Sequence, residues 1–228
     1  MKNLKIVKTK EGDNFFKRRL KFYNNIREGD IRIVDLLRIT QIKPKSILEI
    51  GCANGIQLNQ YQEILNTKVN YGIDLSSKAI NAGKKKFKKL KLLKLSSLEI
   101  DKIKTNFDLI ICGFFLYLLD REEIFNQFNL IYNKLNQNGY LIIQDFNPLF
   151  KHVNISKHNI NLKSFKMNYD NFLVESGLFK MVYKNEKDHP MSHFISKRKN
   201  KMNKYKSTEE AISLYKKINF SDSYPENL

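Results

Sequence analysis

Two kinds of apolar pattern alternate along this chain: short unbroken runs between polar turns, and longer stretches whose apolar residues recur at helical spacing. Residues 1–12 are polar and read as loosely held. Asp13 can cap a helix running to about Arg27, with Phe16, Leu20 and Tyr23 on one face. Gly29-Asp30 interrupts it, and Ile31, Val34, Leu36 and Leu37 make a second amphipathic helix to about Thr40. Pro44 then punctuates the entry to a first strand, Ser46–Ile50. A helix after Gly55 runs to about Leu65, and Val69–Ile73 is a second strand ending in Asp74. Ser76 or Ser77 caps a helix from Lys78 to Phe87, and Leu90–Leu95 is a short third strand. Phe107–Cys112 is apolar on both faces, as a central parallel strand is. Asp120 caps a long helix through Leu135, and Asn138-Gly139 turns into a fifth strand, Tyr140–Gln144.

Strands alternating with helices predict βαβ units, a mostly parallel sheet with helices on both faces, and ligands at the strands' C-terminal edge. The pattern then changes. Residues 146–176 show no clean period and carry His152, His158, Lys163, Lys166 and Tyr169. Phe179–Lys184 and Ser192–Ser196 read as antiparallel sixth and seventh strands joined by Asn185–Pro190. Beyond Lys197 the chain is basic, and Ser207-Thr208-Glu209-Glu210 offers a capping box for a short helix through Ile218. The organisation expected is a helical cap over 1–44, an α/β domain over 45–197, and a basic tail over 198–228 carrying that helix. No internal repeat is present.

Composition narrows the class. With 228 residues and 42% hydrophobic content, the chain suits one α/β domain with a real core. No apolar run approaches the ~18–20 residues of a membrane span, and the polar N-terminus lacks a signal-peptide pattern. Cys52 and Cys112 stand in apolar strand-end contexts without Cys-x-x-Cys spacing, so a cytoplasmic setting is expected, with no zinc site or disulfide framework. The net charge of +18 raises nucleic acid as a partner. Arginine, the residue suited to bidentate phosphate recognition, is confined to Arg18, Arg19, Arg27, Arg32, Arg38, Arg121 and Arg198; lysine supplies the rest. A lysine- and asparagine-rich chain without tryptophan is also what an AT-rich genome encodes by drift.

The candidate chemistry starts at Glu49-Ile50-Gly51-Cys52-Ala53-Asn54-Gly55. The strand ends in an acidic residue, and two glycines bracket a tight turn before a helix. A dinucleotide fingerprint would close with a glycine one position later and have glycine at 53. Asp74, at the end of the second strand, sits where a carboxylate can grip a ribose diol.

These segments resemble the methyltransferase type 11 class of class I S-adenosylmethionine (SAM) methyltransferases. The resemblance rests on Glu49–Gly55, on Tyr71-Gly72-Ile73-Asp74-Leu75-Ser76, and on Phe107-Asp108-Leu109-Ile110. Three further stretches are similar to a bacterial subgroup with a GFxLYLxDR, DFxPP and SYKMDYS pattern: Gly113–Arg121, Asp145–Pro148 and Ser164–Tyr169. Departures are Ala53 for glycine, Leu149 for the second proline and Asn168 for aspartate. The resemblance covers roughly residues 45–196. It implies a Rossmann-like sandwich with a seven-stranded sheet of order 3-2-1-4-5-7-6, SAM as cofactor, and no metal. It also implies cofactor contacts from Glu49, Gly51, Cys52, Ala53, Gly55, Asp74, Leu75, Ser97, Cys112 and Tyr117. Relatives occur among surface-polysaccharide genes, which implies a sugar or nucleotide-linked sugar as small-molecule acceptor.

Several methyltransferase chemistries lack their residues. Planar-amine enzymes carry Asn/Asp-Pro-Pro-Tyr/Phe after the fourth strand, whereas Asn147-Pro148-Leu149-Phe150 follows the fifth. Pyrimidine-C5 enzymes need Pro-Cys, but Cys112 follows Ile111, and a metal-dependent catechol-type site needs more carboxylates than Asp145 supplies. Direct transfer to oxygen or nitrogen remains, with His158 the first candidate base, Asp145 the second, and Tyr117 and Tyr169 orienting the acceptor. An RNA methyltransferase and a non-catalytic SAM-binding protein stay open as rivals.

Overall fold

A computed structural model describes residues 2–20, 32–188 and 209–223. Its centre is a seven-stranded sheet in the order β3-β2-β1-β4-β5-β9-β8. The strands are β1 (Ser46–Ile50), β2 (Val69–Asp74), β3 (Lys91–Lys94), β4 (Phe107–Gly113), β5 (Leu135–Phe146), β8 (Phe179–Asp188) and β9 (Glu209–Lys217). The first five run parallel, and β9 is antiparallel to both β5 and β8. Because β8 and β9 are the sixth and seventh strands of this sheet, the order is the expected 3-2-1-4-5-7-6.

Alternation along the central strands explains the layers. In β4, Leu109 and Ile111 pack on one face with helices α3 (Arg32–Ile39), α4 (Ile56–Leu65) and α5 (Ser77–Lys86). Ile110 and Cys112 face the other side with α6 (Ile124–Lys134) and α7 (Asp170–Glu175). All four side chains are fully buried. Burying each large aliphatic residue stabilises the fold by about 1.5–3 kcal/mol, so a strand apolar on both faces belongs at the sheet's centre.

The chain's second half departs from expectation in two places. Glu209–Lys217 is a strand, not the helix expected from its capping box; Leu214 and Tyr215 are fully buried on opposite faces, and its ladders to β5 and β8 satisfy backbone groups on both edges. It is the seventh strand of the sheet, so the stretch expected to be a basic tail supplies a core element. The strand expected over Ser192–Ser196 lies outside the described residues. Second, the aperiodic stretch contains a two-stranded antiparallel hairpin, β6 (His152–Ser156) and β7 (Asn159–Lys166), followed by α7.

Residues 3–11 are also helical where a loose polar stretch was expected, in α1 (Asn3–Ile6) and a π turn over Val7–Glu11; α2 (Gly12–Arg18) begins the helix expected at Asp13, which lies inside it and is not its cap. The expected continuation of this helix to Arg27 lies outside the described residues. Asp120, expected to cap α6, instead accepts from the first free amides of α1: Asn3 N at 2.9 Å and Leu4 N at 3.1 Å. Asn3 reaches further. Its Nδ2 donates to the carbonyls of Leu118 and Lys163, and its Oδ1 accepts from Lys163 N. Asp13 Oδ1 accepts from Ser76 Oγ and Lys78 N at the start of α5. The N-terminal segment thus ties the hairpin to the C-terminal edge of the sheet. A remaining helical turn, α8, spans Phe220–Ser223.

Candidate active site

At the C-terminal edge of β1 the chain turns through Gly51, Ala53 and Gly55, with φ of 78°, 50° and 76°. Ala53 therefore adopts the left-handed conformation itself, at a cost of roughly 1 kcal/mol that glycine would avoid. The turn is held from below. Gly51 N and Cys52 N both donate to Ile73 O, and Ala53 N donates to Asp74 Oδ2 at 2.9 Å. The other oxygen of Asp74 accepts from Ser76 N at 2.7 Å. Burial raises the Asp74 carboxyl above its usual range, opposed by these N–H donors. Asp74 thus joins the two strand ends, and each of its oxygens keeps a second lone pair for a ligand.

Close approach explains two neighbouring glycines. A Cβ at Gly83 of α5 would lie 2.3 Å from Asn54 O, so only glycine lets this helix pack on the loop. A Cβ at Gly72 would meet Cys52 Sγ at 2.7 Å. Gly113 at the end of β4 is the opposite case: a Cβ there meets nothing within 4 Å. Beside it, a Cβ at Gly51 would touch Phe115 Cβ at 3.1 Å. The strand ends therefore enclose open space between the glycine loop and the start of the segment after β4. A cradle with a strand-end carboxylate on one side and a side-chain-free strand end on the other suits the ribose and amino-acid parts of SAM.

The other residues expected to contact the cofactor differ in exposure and local bonding. Glu49 is buried below the loop, and Leu75 follows Asp74 half-buried. Ser97 starts the turn after β3, where its carbonyl accepts from Gln127 Nε2. Cys52 and Cys112 are buried, and burial pushes both thiols well above their usual range, so they are inert packing groups. Tyr117 N donates to Asp145 Oδ2 at 3.2 Å.

Beyond the cradle lies an aromatic cluster that the three subgroup stretches build together. Phe146 meets Phe114 and Tyr117 edge-on, at ring-centroid distances of 5.6 and 5.2 Å. Phe114 adopts a φ of 49° to make this turn, its N donating to Gln144 O. Lys166, from β7, places its Nζ 3.6 Å from the centroid of the Phe146 ring. Asp145 is buried beneath, its oxygens accepting from Phe146 N and Tyr117 N. Burial pushes its carboxyl up to about 7, against those donors and the positive charges of Arg121 and Lys166. Arg121 donates to Tyr169 Oη at 3.2 Å and to the carbonyls of Leu116 and Leu119. Burial raises the Tyr169 hydroxyl, so it remains protonated.

The structure brings Asp145, Tyr117 and Tyr169 into one region but leaves His158 apart. His158 is exposed at the hairpin turn, its N donating to Ser156 Oγ. Four residue steps, roughly 13 Å at strand rise, separate that end of β6 from the His152–Lys166 end beside Phe146. Lys166 and Arg121 are the residues that spacing alone did not single out; the signal was their place in the subgroup pattern. Among the described residues no group of three or more His, Cys, Asp or Glu side chains could hold a metal ion. Nor is any described helix long and apolar enough to cross a membrane.

This sheet order, the glycine loop and the strand-end acid define a class I SAM-dependent methyltransferase domain. A family model described as a methyltransferase domain matches residues 43–210, and the chain belongs to that family. An uncharacterised protein of Rickettsia prowazekii is 33% identical over 108 residues, covering 45% of this chain and 43% of that protein. One of Haemophilus influenzae is 28% identical over 152 residues, covering 60% and 57%. The matched segments thus span about half the length of these curated relatives. Among solved structures, the chain is similar to the 1,6-didemethyltoxoflavin-N1-methyltransferase of Burkholderia thailandensis, crystallised with 1,6-didemethyltoxoflavin and S-adenosylhomocysteine. The TM-score is 0.68 at 12% identity, covering 95% of this chain and 89% of that one. The magnesium protoporphyrin IX methyltransferase of Synechocystis, with bound SAM, gives 0.65 at 13% identity, covering 95% and 97%.

Proposed function

We propose that the chain transfers the methyl group of SAM to an oxygen or nitrogen atom of a small-molecule acceptor. The subgroup resemblance points to a sugar or nucleotide-linked sugar of surface-polysaccharide synthesis as that acceptor. The observation carrying the cofactor half is the bond from Ala53 N to Asp74 Oδ2, which makes loop and strand-end acid one unit facing the open space at Gly113. Bound SAM supplies a methyl carbon already activated by its sulfonium. The protein's task is then to align the acceptor and exclude water. Asp74 holds the ribose side, and Glu49 braces the loop from below. Phe114, Tyr117 and Phe146 wall the acceptor side with apolar surface. Tyr169, held by Arg121, offers an orienting hydroxyl, and Asp145 fixes the Tyr117 backbone from beneath.

Calorimetry with S-adenosylhomocysteine, followed by labelled SAM offered to pooled sugars, nucleotide sugars and a metabolite extract, tests this reading. Micromolar binding and label in a small acceptor are expected. Binding without label in any pool would instead describe a non-catalytic SAM-binding protein. One observation favours an RNA acceptor as a second reading: Lys84, Lys94, Lys102 and Lys104 line a shallow depression with Tyr71 and Thr105. Methylation of RNA that falls steeply with added salt would favour it, while salt-insensitive turnover of a small acceptor would exclude it.

A further inference from the structure

The acceptor side of the cleft contains a lysine whose position differs from that of the chain's many surface lysines. Lys166 ends β7, and through Asn3 that strand is fastened to the loop after β4. Its ammonium lies on the Phe146 ring, Phe146 meets Phe114 and Tyr117, and Phe114 follows Gly113, where the α-carbon faces open space. This run of contacts carries Lys166 from the hairpin to the same sheet edge as the glycine loop. We propose that Lys166 Nζ is the general base of the acceptor site, brought there by the β6–β7 hairpin. The assignment rests on the methyl-transfer reading above.

The groups around Lys166 support this role. Asp145 of β5 faces it from below, His152 of β6 stands opposite it in the hairpin ladder, and Arg121 and Tyr169 lie beyond Asp145. Burial pulls the Lys166 ammonium down to about 8, with only Asp145 opposing. A lysine poised there holds a substantial neutral fraction near neutral pH, which a surface lysine at about 10.4 does not. In the step assigned to it, the acceptor oxygen or nitrogen forms its bond to the methyl carbon as the carbon–sulfur bond breaks. The electrons of that bond remain on sulfur, leaving neutral S-adenosylhomocysteine. The proton of the acceptor O–H or N–H passes to the lone pair of Lys166 Nζ, which becomes lysinium and then releases that proton to solvent.

The competing role for Lys166 is a cation clamp that merely fastens the hairpin to Phe146. Lys166→Arg separates the two, because a guanidinium can still sit on the ring but cannot act as a base near neutral pH. Three measurements on the full chain decide it. Wild type, Lys166→Arg and Lys166→Met are first titrated with S-adenosylhomocysteine, and all three are expected to bind within about threefold of one another. In wild type, trace acetylation with acetic anhydride across pH 7–11, read by mass spectrometry, should give Lys166 a midpoint more than one unit below the surface lysines. Where a pool accepts label from SAM, both variants should lose about 100-fold or more in turnover, and the wild-type rate should rise through pH 8. If wild type binds no S-adenosylhomocysteine, the methyl-transfer reading fails and this assignment falls with it. If it binds, but Lys166 acetylates with the surface lysines or Lys166→Arg keeps its turnover, only the assignment falls. Should it bind and no pool accept label, the non-catalytic reading replaces methyl transfer and the assignment falls with it.

Discussion

Asn3 and Lys163, separated by 160 positions, exchange a pair of hydrogen bonds: Asn3 Nδ2 donates to Lys163 O at 2.6 Å, and Lys163 N donates to Asn3 Oδ1 at 3.0 Å. The side chain thereby mimics a neighbouring strand, joining the N-terminal helical segment to the hairpin. Asn3 is 2% exposed and its bonds are partly buried, so truncation strips the Leu118 carbonyl and the Lys163 amide and carbonyl of these partners. Asn3→Ala should cost about 2 kcal/mol in denaturant unfolding, and amides over residues 2–20 and β6–β7 should exchange faster together. Faster exchange in only one of the two segments would show that they are not coupled through this residue.

Gly113 and Gly83 make a controlled pair. Gly113→Ala adds a methyl where nothing stands within 4 Å, so the melting temperature should stay within about 1 °C while affinity for S-adenosylhomocysteine falls about tenfold or more. Gly83→Ala drives a methyl against Asn54 O and should lower stability by about 2 kcal/mol. Equal losses of ligand affinity and stability in Gly113→Ala would mean that the space at β4 is not ligand space.

Asp74 accepts one backbone N–H on each carboxylate oxygen. Asparagine can accept on only one, and its amide would face the other donor. Asp74→Asn should therefore loosen the loop at Ala53 and weaken binding of S-adenosylhomocysteine about 30-fold or more, read by calorimetry. Unchanged affinity would remove Asp74 from the cofactor site.

Asp145 and Lys166 make stability depend on pH in opposite senses. Asp145 titrates at about 7 in the folded protein, against roughly 3.9 when unfolded. The folded state thus keeps a proton that the unfolded chain has released, and this contribution to stability declines as pH rises from about 4 to 7. Lys166 titrates at about 8, against roughly 10.4 unfolded. The unfolded chain then holds the extra proton, so stability recovers as pH rises from about 8 to 10.4. Urea unfolding of wild type against Lys166→Met should show wild type gaining about 2 kcal/mol relative to the variant across that upper window. A flat difference would show that Lys166 titrates as it does in water.

What was legible in the chain follows from which segments state their environment. β1 and β4 are buried on both faces and read as short, mostly apolar runs, so their place at the sheet centre was plain. The glycine loop and Asp74 were legible because backbone conformation and strand-end position restrict residue choice there. Glu209–Lys217 was not. Its apolar residues Ala211, Ile212, Leu214 and Tyr215 fall at a spacing that a helix also satisfies, and only burial on both faces makes it a strand. The β6–β7 hairpin escaped although Val153, Ile155 and Ile160 alternate with polar residues, because those apolar side chains are at least half exposed and the alternation marks no buried face. On the acceptor side, His158 stood out by residue type. Position instead favours Lys166, and that depended on a strand pairing that no local pattern contains.

The seventh strand has a further consequence for assembly. β9 fills a slot between β5 and β8, so the sheet is unfinished until nearly the last segment of the sequence given has been added. During synthesis, at ~5–20 residues per second, the nascent domain displays the facing edges of β5 and β8, which β9 later covers. Each is a template for pairing with another chain. A stop or frameshift just upstream of residue 209 would leave that gap permanent. The expected product is an insoluble one, whatever the state of the glycine loop that folded long before.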